Sequence, residues 1–146
     1  MHPFRTCARA PRAHIDPIRC AADAIALFAV AVAEPFESEV LGIVLDDAGF
    51  GHAIVTITDV PPSSTDAVLR LADILGTAAE GAPSAAGMVL ATVRPDGELV
   101  QATDVDTWLE ASAIADDHGL RLLEWFVVGP DGIECPRDLL GEPERW

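Results

Sequence analysis

The chain has no lysine, no tyrosine and only three cysteines. Cys7, Cys20 and Cys135 are odd in number and widely spaced, and neither C-x-x-C nor H-x-x-x-H occurs. That excludes a disulfide framework and a structural zinc knot, and reads as reduced thiols in a cytoplasmic protein. No apolar run is long enough to span a bilayer. Phosphate-cradling glycine patterns are missing, since Gly129-Pro130-Asp131-Gly132 is turn chemistry. Ser63, Ser64 and Ser84 lack the G-x-S-x-G setting of a nucleophile. His2, His14, His52 and His118 are scattered, without a partner set for metal or nucleophilic work.

What is present is one domain's length, 146 residues, half of them hydrophobic. Chains of ~150 residues bury roughly 68–70% of their unfolded surface, so a real core is expected and disorder is not. Charge is asymmetric. Residues 1–19 carry Arg5, Arg9, Arg12 and Arg19 against Asp16, and the remainder carries five Arg against twenty-three acids, for a net −15. The acidic body repels phosphate backbones, which argues against nucleic-acid binding by the folded part. It favours instead a protein partner met through an acidic surface, and nothing in the pattern opposes a homo-oligomer. Residues 1–16 read as a flexible basic segment, 17–140 as one domain and 141–146 as a tail. Residues 1–33 imitate an export signal, basic and then apolar. Asp16 and Asp23 oppose that reading, and Asp16-Pro17 is a good helix start, so a domain helix in a cytoplasmic protein is preferred.

In that helix Ile18, Ala22, Ile25, Ala29 and Val32 share a face. Glu39–Asp46 reads as a buried strand and His52–Thr58 as its hairpin partner. Ser63 or Ser64 is expected to cap a helix over Thr65–Ala79, with Val68, Leu71, Ala72 and Leu75 inward. Gly87–Val93 is a central strand. Thr103 is expected to cap a helix to Asp117, with Val105, Leu109 and Ser112 inward and Trp108 and Ala115 beside them. Leu120–Val128 is an apolar strand on which Trp125 and Phe126 alternate, so one of them should face outward or cover an edge. Ile133–Cys135 is a short last strand, with Leu139 and Leu140 packing back. The order α-β-β-α-β-α-β-β gives an α/β (α+β) fold, a mixed sheet flanked by helices.

Three stretches carry a resemblance. Glu39-Val40-Leu41-Gly42 resembles the strand that bears the glutamate of the RadC-like branch of the JAB/MPN metalloprotease superfamily. Ala91-Thr92-Val93-Arg94-Pro95-Asp96-Gly97 followed by Thr103-Asp104-Val105-Asp106 is similar to that family's A-H-x-H-P-x-G segment and its S-x-x-D. Arg121–Gly129 looks like the strand ending in D-H-x-x-x-G. The resemblance spans about residues 20–138 and implies cytidine-deaminase-like layering. In active members, it implies, two His and the Asp bind zinc, the Glu is general base, and the Ser supports the reacting carbonyl.

The departures point away from that chemistry. The His positions fall on Thr92 and Arg94, and Glu124-Trp125 replaces the Asp-His pair. Threonine is a poor zinc ligand, and arginine has no lone pair to donate. With a single carboxylate left, zinc is not held and no water is activated, so no cofactor is expected. The resemblance therefore implies a non-catalytic domain acting as a binding or scaffolding module. Glu39 is a relic base or simply an acid at a strand start. Thr103 and Asp106 are relic site residues or a helix-start pair. Arg94 is an exposed loop arginine or a fixed cation paired with Asp106 or Glu39. Two alternatives remain: an enzyme with a rearranged site around Glu39, Arg94 and Asp106, and a generic α/β accessory protein.

Overall fold

The computed structural model describes residues 10–13, 15–61, 65–97 and 100–146. Helix α1 (Ala21–Ala31) is followed by the hairpin β1 (Glu39–Asp46) and β2 (Gly51–Thr58). Then come α2 (Asp66–Ala79), β3 (Ala85–Val93), α3 (Ala102–Asp117), β4 (Arg121–Gly129), β5 (Gly132–Glu134) and a short α4 (Pro136–Leu139). Among the described residues the strands form one five-stranded sheet in the order β2-β1-β3-β4-β5. β1 is antiparallel to β2 and β3, β3 is parallel to β4 through the α3 crossover, and β5 is antiparallel to β4. This is an α+β fold with a mixed sheet. Among the described residues, no helix is long and apolar enough to cross a membrane.

β1 and β3 are buried on both faces because both faces are covered. Val40 and Val44 of β1 with Met88 and Leu90 of β3 face α2 and α3. Leu41, Ile43 and Leu45 with Val89, Ala91 and Val93 face α1. This is the period-2 alternation of a strand between two apolar layers. Gly42 lets α2 approach closely, since a Cβ there would lie 2.6 Å from Leu75 Cδ1. The hairpin turn is built by Asp46, whose Oδ1 accepts from the Ala48 and Phe50 amides, and by Gly49 at φ +87°.

Several expectations need correction. Trp125 and Phe126 are both buried, because successive side chains enter opposite covered layers: Trp125 lies under α2 and α3, and Phe126 meets Phe28 of α1 edge to face. In α1 the buried residues are Ala24, Ala26 and Phe28; Ile18 and Val32 beside the helix are buried too, Ile25 and Ala29 pack partly against the core, and of the expected face only Ala22 is exposed. In α3 the inward residues are Asp104, Thr107, Trp108, Ala111 and Ala115, while Leu109 is exposed. Leu139 and Leu140 are exposed too; it is Pro136 and Arg137 of α4 that pack inward. Ser63 and Ser64, expected to cap α2, lie outside the described residues, and the observed N-cap Thr65 makes no side-chain cap. The last residues have no regular structure, yet Arg145 stacks on the Trp108 ring at 4.5 Å and donates to the Leu122 carbonyl at 2.9 Å.

Candidate functional site

The end of β3 carries the residues to which the sequence directs attention. Strand alternation sends Thr92 and Arg94 to the α3 side. The Thr92 hydroxyl accepts from the Trp125 indole N–H at 2.8 Å, and both groups are buried. Arg94 continues the ladder, its amide donating to the Val128 carbonyl at 2.7 Å, before Gly97 at φ +91° turns the chain.

Arg94 is not an exposed loop residue. Its side chain is only 7% accessible and grips Asp104 in a two-point fork, Nη1 to Oδ2 at 2.8 Å and Nη2 to Oδ1 at 2.7 Å. Planar guanidinium against planar carboxylate is the strongest geometry for such a pair. Asp104 Oδ2 also accepts from the Gln101 amide at 2.8 Å, while the Gln101 side chain accepts from the Asp104 amide. Gln101 is thus the N-cap of α3 and Asp104 its third helical residue, a reciprocal capping box. Thr103, expected as the cap, is an exposed residue of the first turn, whose carbonyl accepts from the Thr107 hydroxyl at 3.2 Å. Asp106 is two residues past Asp104, about 200° round the helix, and faces solvent.

Glu39 sits apart from this cluster. Its Cα partner in β3 is Val93, so its side chain shares the α1 face of the sheet. It is buried, and Oε1 accepts from the Ala33 amide at 3.0 Å just beyond α1. The structure therefore joins Thr92, Arg94 and Asp104 on one side and leaves Glu39 on the other, with Asp106 outward. Zinc does not fit this arrangement. Arg94 offers no lone pair, the Asp104 carboxylate already holds three N–H donors, and the Thr92 oxygen is engaged by an indole.

A second buried pair, with no counterpart among the residues expected from the sequence, joins β4 to α4. Glu124 Oε2 accepts from Arg137 Nε at 2.8 Å, and Oε1 from the Trp125 amide at 3.2 Å. Arg137 also donates to the Glu142 carbonyl and meets Asp138 at 3.1 Å. Burial pushes the Glu124 carboxyl up, with Arg137 pulling against it. Burial, reinforced by the nearby Glu124 charge, pushes the Cys135 thiol far up. A thiol kept neutral is a packing group rather than a nucleophile. The signals for these clusters were in the chain: Gln101-x-x-Asp104 has capping-box spacing, and Pro136 suits a first helical position.

No protein-family model and no curated protein matches this chain.

Proposed function

We propose that this is a non-catalytic domain of JAB/MPN-like, cytidine-deaminase-like build, acting as a binding or scaffolding module for a protein partner. The observation that carries the reading is the buried Arg94–Asp104 fork. In this reading Gln101-x-x-Asp104, rather than Thr103-x-x-Asp106, stands where the family has S-x-x-D. The carboxylate of the lost metal site is kept, and Arg94 supplies a covalently attached cation in the metal's stead. The rearranged enzyme is disfavoured because Glu39, Arg94 and Asp106 do not converge. A chain of net charge −15 with an acidic body suits a basic partner surface, through charge complementarity that steers encounter.

Zinc tests this reading. The parent protein, purified from zinc-supplemented culture, should contain no stoichiometric zinc by elemental analysis. About one zinc per chain surviving a weak chelator would overturn the reading. The T92H/R94H double variant should bind zinc in calorimetric titration, and adding Asp104→Asn should abolish most of the gain, whereas adding Asp106→Ala should not. A folded double variant that binds no better than the parent would remove the family assignment.

A further inference from the structure

The two edges of the sheet differ. β5 is three residues long and, after Cys135, the chain enters α4. β2 is eight residues long, and among the described residues it pairs only with β1. At about 3.4 Å per residue it presents roughly 27 Å of edge. Long edges are ordinarily guarded by lysine, proline, bulges or charge pointing inward. Gly51–Thr58 (GHAIVTIT) has no proline, arginine or acid, and the register shift in its pairing lies near the Gly51 end, leaving Ile54–Thr58 regular. Beside this edge, on the α2 side, runs a mostly apolar cleft of about 230 Å³, lined among others by His52, Ala53, Val55, Leu75, Ala78 and Ala79.

The occupant follows from charge and symmetry. Two copies of a chain with net charge −15 repel over most of their surfaces. Between Ala53 and Thr58 the strand itself carries no acid, Asp16 and Asp46 standing near its Gly51 end. An antiparallel strand edge is also complementary to itself about a two-fold axis perpendicular to the sheet, the closed arrangement that C₂ dimers use. We infer that β2 is a self-association edge, at which two copies of this chain pair β2 to β2 into a continuous ten-stranded sheet. Both α2 helices then lie on the same side, and Ala53, Val55 and Ile57 of each copy face their counterparts beside the cleft. This inference stands independently of the non-catalytic reading.

The test is the oligomeric state of the whole chain by sedimentation equilibrium, from micromolar to sub-millimolar concentration. The parent should dimerise. The double variant A53E/T56E changes two exposed residues, and should weaken self-association by more than about tenfold through like-charge contact across the axis. A22E/A113E adds the same charge at exposed positions of α1 and α3 and should leave the dimer intact. A parent that stays monomeric throughout, or a dimer that survives A53E/T56E, overturns the proposal. Amide hydrogen exchange gives a readout that needs no variant. Protection within residues 51–58 should rise with parent concentration across the association range, and protection that does not change would equally refute pairing at β2.

Discussion

Asp104→Ala is the sharpest perturbation of the β3–α3 junction. Its carboxylate is 1% accessible and receives Arg94 through two bonds and the Gln101 amide through a third. Truncation strands a guanidinium that cannot shed its proton. Removing one partner of a buried ion pair costs about 3–5 kcal/mol, and the lost cap adds up to about 1 kcal/mol. Against a typical total of about 5–15 kcal/mol, that is a large fraction of the fold's stability. At roughly 2–4 °C per kcal/mol for this size, the midpoint of thermal unfolding should fall by roughly 6–24 °C. Thr103→Ala is the control: an exposed residue with no cap role should stay within about 0.5 kcal/mol of the parent. Replacing both partners, R94M/D104L, should recover most of the loss, because a well-packed apolar pair avoids the desolvation that the ions suffer. Urea titration with an unchanged m-value is the assay. If Asp104→Ala costs no more than Thr103→Ala, the fork does not hold α3 to the sheet and the argument fails.

Thr92→Val should cost about 1–3 kcal/mol despite its matched shape, because it leaves the buried Trp125 indole N–H without its acceptor; an unchanged urea midpoint would refute that bond. His118, at the C-cap of α3, lies between Asp73 Oδ1 at 2.8 Å and Glu80 Oε1 at 3.1 Å, with Gly76 of α2 leaving room for its ring. The Asp73 hydrogen bond, with help from Glu80, raises its pKa above the ordinary histidine value of 6.5. The folded state thus holds the proton more tightly, so this stabilisation is complete below pH 6.5 and is lost as pH rises through the higher folded value. Urea midpoints should therefore decline above pH 6.5 in the parent and decline less in His118→Gln; identical slopes would dismiss the contact.

The elements that the sequence made legible are those with one strong physical signal. β1, β2 and β3 are runs of β-branched and aliphatic residues bounded by the Asp47-Ala48-Gly49 or Pro95-Asp96-Gly97 turn, and α2 has a clear apolar stripe through Val68, Leu71, Ala72, Leu75 and Ala79. α1 and α3 are legible as helices, but their most buried positions are not, and the cause is alanine. Both helices carry it on several sides, so periodicity leaves the buried face open and the largest side chains decide it. Phe28 seeks Phe126, and Trp108 goes under Arg145. α4 has four residues, too few for any period to show. Arg94 was hardest to place. A strand-end arginine before a proline looks solvated until α3 is known to start directly over it, and that is a tertiary fact.

The choice between Asp104 and Asp106 shows how the site and the fold are linked. Thr103-x-x-Asp106 and Gln101-x-x-Asp104 have the same spacing, and threonine is the better cap. The overlap is resolved by burial. Starting α3 at Ala102 turns Trp108, Ala111 and Ala115 onto the sheet, and the same rotation aims Asp104 at the end of β3. A carboxylate buried there requires a cation, and Arg94 supplies it. Guanidinium and zinc are alternative ways of meeting that requirement, because Arg94 occupies both oxygens of the one carboxylate that a metal would use. Disrupting the fork costs about 3–5 kcal/mol, whereas structural zinc in zinc-finger peptides contributes ~10–16 kcal/mol, a margin that leaves room for a site with one ligand fewer. The energy lost with Arg94 is therefore smaller than what a correct ligand set would return. If T92H/R94H folds and fails to bind zinc, the cause is geometry rather than the loss of the pair, which is why that variant can decide whether this junction is a former metal site.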